Sequence, residues 1–149
     1  MKTLAIALSV WFLAAWVNAG DAPVLLQLDA AKHTKAPDGS ATAGRGWVQF
    51  SVQATNTSTH PIWLHGYALT SPFYNLFTRQ KNAAWTDYRM GYCGTGAGPR
   101  QLDPGATTKF TVSIPEKYVG QQLRVEISIH DAPQDSKPIT VSSDPALIQ

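Results

Sequence analysis

One cysteine, Cys93, stands among 149 residues, so no intramolecular disulfide can form and stability has to come from packing. Charge of one sign is also scarce. Twelve Lys and Arg face ten Asp and Glu, a formal net charge of +2, and so weak a field gives no reason to expect nucleic-acid binding. Long hydrophobic runs are missing too. The longest, from Leu4 to Val17, has 14 residues, short of the roughly 20 that span a bilayer. A Ser-centred elbow, HExxH, a phosphate-binding glycine loop, a dinucleotide fingerprint and Asp-rich Ca²⁺ loops are all lacking, which removes the common catalytic frameworks one by one. A closed Zn site lacks ligands. No cofactor, metal or enzymatic activity is therefore expected.

What is present begins with Met1 and Lys2, a short basic start to the apolar run that contains Trp11, Phe12 and Trp16. Basic start, short apolar run and the small-residue ending Val17-Asn18-Ala19 predict a signal peptide over residues 1–19, cleaved before Gly20. No cysteine stands at the cleavage site to carry a lipid. Residues 20–149 are then expected as one domain in the periplasm or secreted, without a membrane span. That length can bury a core. Lys2 leaves with the leader, so 11 basic and 10 acidic residues remain.

Alternation with period two is strict in Val48, Phe50, Val52 and Ala54, with Gln49, Ser51, Gln53 and Thr55 between them. It returns in Phe110, Val112 and Ile114, and again in Leu123, Val125, Ile127 and Ile129 against Arg124, Glu126 and Ser128. This is the signature of half-buried strands and makes the class all-β. Val24–Leu28, Ile62–Leu64, Phe73–Thr78 and Ile139–Val141 read as further strands. Asn56–Pro61 and Asp103-Pro104-Gly105 read as turns, Pro115 ends a strand, and Glu116–Gly120 allows one helical turn. The polar stretch Ala30–Gly46 reads as a mobile surface loop. About seven short strands predict an antiparallel two-sheet, immunoglobulin-like sandwich.

The runs FSVQATNTSTHPIWL (50–64), LDPGATTKFTVSIP (102–115) and QLRVEISIH (122–130) resemble bacterial extracytoplasmic immunoglobulin-like or fibronectin-like domains. Those domains carry a strand ending in Thr-Asn before a turn, and a Leu-x-Pro-Gly turn opening a later strand. The resemblance implies the fold alone. It brings no function, because such sandwiches serve many.

Cys93 lies in Gly91-Tyr92-Cys93-Gly94-Thr95-Gly96-Ala97-Gly98-Pro99, whose four glycines point to a loop in close approach to something. A reactive thiolate needs a base and an electropositive site. No local signature ties His60, His65 or His130 to it, so a buried structural thiol is expected. A blue-copper site takes two His and one Cys with a weak Met, and kinship with that class would put His and Met just after the Cys. Met90 instead precedes it, and His130 is far downstream. His60 and His65 are an odd number of residues apart, which sends them to opposite faces of a regular strand. Asn56-Thr57-Ser58 matches the glycosylation acceptor pattern.

Aromatic density is the positive signal. Trp63, Tyr67, Phe73, Tyr74, Phe77, Trp85, Tyr88 and Tyr92 cluster together, with Arg79, Lys81, Arg89 and Arg100 close by in sequence. Tyr, Trp and Arg together are the composition of interface hot spots. The segment from Tyr74 to Arg100 is therefore expected as a hairpin presenting a site of Tyr74, Arg79, Tyr88, Arg89, Tyr92 and Arg100. The expected function is an exported, non-enzymatic interaction module for a protein partner, of inhibitor or immunity type. Two other classes stay open: a periplasmic metal-binding or redox protein using Cys93 and histidines, and a carbohydrate-binding accessory domain, which needs exposed Trp or Tyr planes.

Overall fold

The computed structural model describes residues 22–35, 46–88, 91–134 and 137–149. The leader expected over residues 1–19, the middle of the expected loop at 36–45, and Arg89 lie outside the described residues. Strands dominate: β1 (Val24–Leu28), β2 (Lys32–Lys35), β3 (Gly46–Asn56), β4 (Ile62–Ala68), β5 (Ser71–Pro72), β6 (Tyr74–Arg79), β7 (Thr86–Tyr88), β8 (Gly98–Leu102), β9 (Thr107–Pro115), β10 (Gln122–His130), β11 (Ile139–Ser142) and β12 (Ala146–Leu147). One 3-10 turn, Glu116–Tyr118, stands where a helical turn was expected. Among the described residues no helix is long and apolar enough to cross a membrane.

These segments occupy seven strand positions in two antiparallel sheets. In the first sheet β3 is central, with β9 on one edge along its length. Ala54 pairs with Thr108 of β9 and with Leu26 of β1, while Gln49 pairs with Ser113 of β9 and with Lys32 of β2. A strand has only two edges, so β1 and β2 share the second one, end to end. In the second sheet β10 is the spine. Ile129 pairs with Leu64 of β4 and Ile139 of β11, and Glu126 pairs with Asn75 of β6 and Ser142 of β11. Hence β4 and β6 follow one another along one edge of β10, and β11 and β12 along the other. The outer edge of β4 takes β8 and that of β6 takes β7. Three positions face four, an all-β two-sheet sandwich.

Alternation decides what lies between the sheets. Val48, Phe50, Val52 and Ala54 of β3, Phe110, Val112 and Ile114 of β9, and Leu123, Val125, Ile127 and Ile129 of β10 are all buried. Each such side chain contributes about 1.5–3 kcal/mol relative to exposure, alanine excepted. The seven strands expected from periodicity all form. The reading of Ala30–Gly46 as a loop needs correction, because Lys32–Lys35 pairs with Gly46–Gln49 as β2. Its sequence, Lys-His-Thr-Lys, carries no apolar face since the strand is an exposed edge held by backbone hydrogen bonds, and those leave no mark on composition.

Candidate functional site

β4 and β6 form one strand position with an interruption. β4 pairs with β10 only at Trp63 and Leu64, then turns away, pairing Gly66 and Ala68 back onto Pro72 and Ser71 of β5. The chain returns at Phe73, whose N–H donates to the His65 carbonyl at 2.7 Å, and runs on beside β10 as β6. The excursion is compact because Gly66 has no side chain: a Cβ there would sit 2.5 Å from Pro72 Cα and from the Ser71 carbonyl oxygen.

At this handover the outer face of the second sheet opens into a cleft of about 270 Å³, lined by His65, Phe73, Tyr74, Asn75, Tyr92, Glu126 and Ser128. One wall is aromatic. Phe73 and Tyr92 lie with ring centroids 4.5 Å apart, and Tyr67 meets Phe73 edge-on at 5.4 Å. The Tyr92 hydroxyl donates to the Tyr74 carbonyl at 2.7 Å and accepts from the Tyr74 N–H at 3.0 Å. These two bonds dock the loop that carries Cys93 onto the outer edge of β6. The floor is polar. Glu126 Oε1 accepts from Arg124 at 2.8 Å and from the Ser142 hydroxyl at 3.1 Å. His65 also lies 6.0 Å from His130, ring to ring.

Further along the same face the side chains change to arginine over aromatic rings. The Arg79 guanidinium lies 4.4 Å from the Trp85 ring centre, and that of Arg124 lies 4.6 Å from Trp85 and 5.0 Å from Phe77. Arg79 is held by Gln122, its Nε donating to Oε1 at 2.6 Å. Such contacts are attractive because the ring face is the negative end of its quadrupole.

Of the six residues expected to form a site, three reach this region: Arg79 in the arginine cluster, and Tyr92 and Tyr74 in the lining of the cleft. Tyr74 and Tyr88 also pack inward. Both are partly buried against the core, Tyr74 stacking on Phe110 at 5.7 Å and Tyr88 meeting Tyr118 edge-on at 5.5 Å. Burial first, then the neighbouring Tyr92 and Tyr88, pushes the Tyr74 hydroxyl up to about 12. Burial likewise raises Tyr88 and, against the bond to Tyr74, Tyr92. Arg100 belongs to β8, which pairs with β4 rather than with the hairpin, and its Nε is buried without a hydrogen-bond partner among the described residues. The expected hairpin therefore ends with β7 at Tyr88.

Cys93 is exposed, not buried. Its thiol lies 3.7 Å from the Thr95 hydroxyl, and the Thr95 N–H and hydroxyl pull it below the usual thiol range by favouring the thiolate. The glycines around it do not serve close approach, since a Cβ at Gly91, Gly94, Gly96 or Gly98 would meet nothing within 4 Å. Only Gly96, at φ +81°, needs to be glycine for its backbone. Among the described residues no group of three or more His, Cys, Asp or Glu gathers as metal ligands.

Sequence reasoning passed over Trp85, Phe77 and Arg124 as site residues. The signal was there: Arg124 and Glu126 alternate with the buried residues of β10 and so had to lie on its outer face, opposite the equally outward Phe77 and Asn75.

No protein-family model and no curated protein matches the sequence. Among solved structures the chain is similar to a Bordetella pertussis protein assigned the name ApaA, with a TM-score of 0.50 and 18% identity over 85% of this chain and 94% of that one. It is similar also to the structural genomics target SoR45, with a TM-score of 0.52 and 8% identity over 85% of this chain and 87% of that one. At such identities the likeness concerns the fold alone.

Proposed function

We propose that this protein is an exported, non-enzymatic binding module of immunoglobulin-like type that recognises another protein, as an inhibitor or immunity protein does, through the outer face of its four-position sheet. The observation that carries the reading is the Trp85 ring lying under both the Arg79 and the Arg124 guanidinium groups. Trp and Arg are the residues that most often dominate interface energies. Here they are also held in place beforehand, Arg79 by Gln122 and Arg124 by Glu126, so less side-chain entropy is lost when a partner covers them. The export part of the proposal rests on the leader expected from the sequence over residues 1–19, with the periplasm or the cell exterior as the proposed location.

The test is site-specific photo-crosslinking in the native host. A crosslinking residue at position 77, beside the arginine cluster, is expected to give one discrete protein adduct, lost when Arg124→Ala is added. Position 111, on the outer face of β9 in the other sheet, is expected to give none. Equal adducts from both positions, or none from 77, would contradict the reading.

A further inference from the structure

The cleft at the β4 to β6 handover lies beside the arginine cluster and has a chemistry of its own. It is small: about 270 Å³ falls just below the roughly 300–1,000 Å³ that drug-sized ligands occupy, enough for one ring and not for a chain. Its lining is divided. Phe73 and Tyr92 supply an apolar wall, and because both phenolic hydrogen bonds of Tyr92 are spent on the Tyr74 backbone, that wall is fixed. The Asn75 amide and the Ser128 hydroxyl line the same cleft and have no hydrogen-bond partner among the described residues. Together they offer both donors and acceptors. Glu126 lines the cleft too, but Arg124 already neutralises it at 2.8 Å, so the cleft does not select for charge.

An apolar wall against a donor and acceptor floor, without net charge, matches a ring that is apolar on its C–H face and hydroxylated around its rim. We infer that the cleft binds one neutral pyranose unit, its C–H face on Phe73 and Tyr92 and its hydroxyls on Asn75, Ser128 and the free side of Glu126. The slightly positive C–H hydrogens of such a ring meet the negative faces of the aromatic rings, while the hydroxyls replace the water that otherwise solvates the floor. This assignment stands apart from the protein-binding reading, which rests on Trp85 and the arginines.

Amide chemical-shift mapping of the purified protein tests it, with glucose, galactose and N-acetylglucosamine as probes and tetramethylammonium as the cationic control. At least one sugar is expected to shift saturably the amides of residues 65, 73–75, 92, 126 and 128. Asn75→Ala and Ser128→Ala, both surface changes, are each expected to weaken that binding about tenfold, as loss of one good hydrogen bond does. No shift with any of the three sugars would overturn the proposal. So would shifts of the same amides by tetramethylammonium that vanish in Glu126→Gln, which mark a cation site. Shifts seen only with a longer oligosaccharide and spread over Phe77 and Trp85 would overturn the one-ring assignment.

Discussion

Asn56 shows how much one side chain can hold. It is fully buried. Its amide donates to the carbonyls of His60 and Leu102, both at 2.9 Å, and its Oδ1 accepts from the Ser58 N–H and hydroxyl at 3.0 and 2.7 Å. One residue thus ties the turn after β3 to the turn before β9. An amide so placed is closed to glycosylation, and the acceptor pattern at Asn56-Thr57-Ser58 is spent on folding instead. Asn56→Asp keeps the shape but sets carboxylate oxygens against two carbonyl oxygens. It should cost about 3 kcal/mol in urea unfolding, whereas a loss below about 0.5 kcal/mol would mean that the network contributes little. In the sequence the Thr-Asn ending was legible as a turn signal, but its four hydrogen bonds were not, because Leu102 lies 46 residues away. Cys93 carries the same lesson in reverse: a lone cysteine is among the residues most often buried, and nothing local revealed that its loop is fastened through Tyr92 with the thiol outside.

Among elements, those that bury an apolar face were legible and those that do not were hidden. β3, β9 and β10 follow period two without a break, and periodicity placed them. β2 and β8, by contrast, are edge strands defined by backbone pairing, and for that reason the sequence does not show that the stretch ending at Arg100 pairs with β4 rather than with the hairpin. The interruption between β4 and β6 was equally silent, since only Gly66 marks it. Gly66→Ala should lower stability by about 1–3 kcal/mol, as overpacking does, and disturb the cleft amides; an unchanged melting temperature would show that the excursion can relax. β2 is joined to the 3-10 turn by His33, whose Nδ1 lies 2.9 Å from Glu116 Oε1. That bond raises the His33 pKa above 6.5. A raised folded-state value means that the contact adds stability at mildly acidic pH, and that this is lost as pH rises through the folded-state value. The pair is exposed, so the effect is small. Thermal melts across that range should show a slight decline that Glu116→Gln removes, and a decline of the same size in Glu116→Gln would acquit the pair.

For the whole molecule, three strand positions and four enclose a core from both sheets, and the outer face of the four-position sheet holds both the arginine-covered Trp85 and the aromatic cleft. Aromatic density in the sequence pointed to this region, yet inward and outward rings could not be separated without the register that turns Tyr74 to Phe110 and Phe77 to Arg124. The proposed recognition uses this face. Its most direct test is titration calorimetry of the crosslinked partner, once purified, against Trp85→Ala and, as control, Thr111→Ala on the opposite sheet. Trp85→Ala should weaken binding by about 2–4 kcal/mol with little change in melting temperature, and Thr111→Ala should leave affinity as it was. Full affinity in Trp85→Ala, or a loss confined to Thr111→Ala, would contradict it.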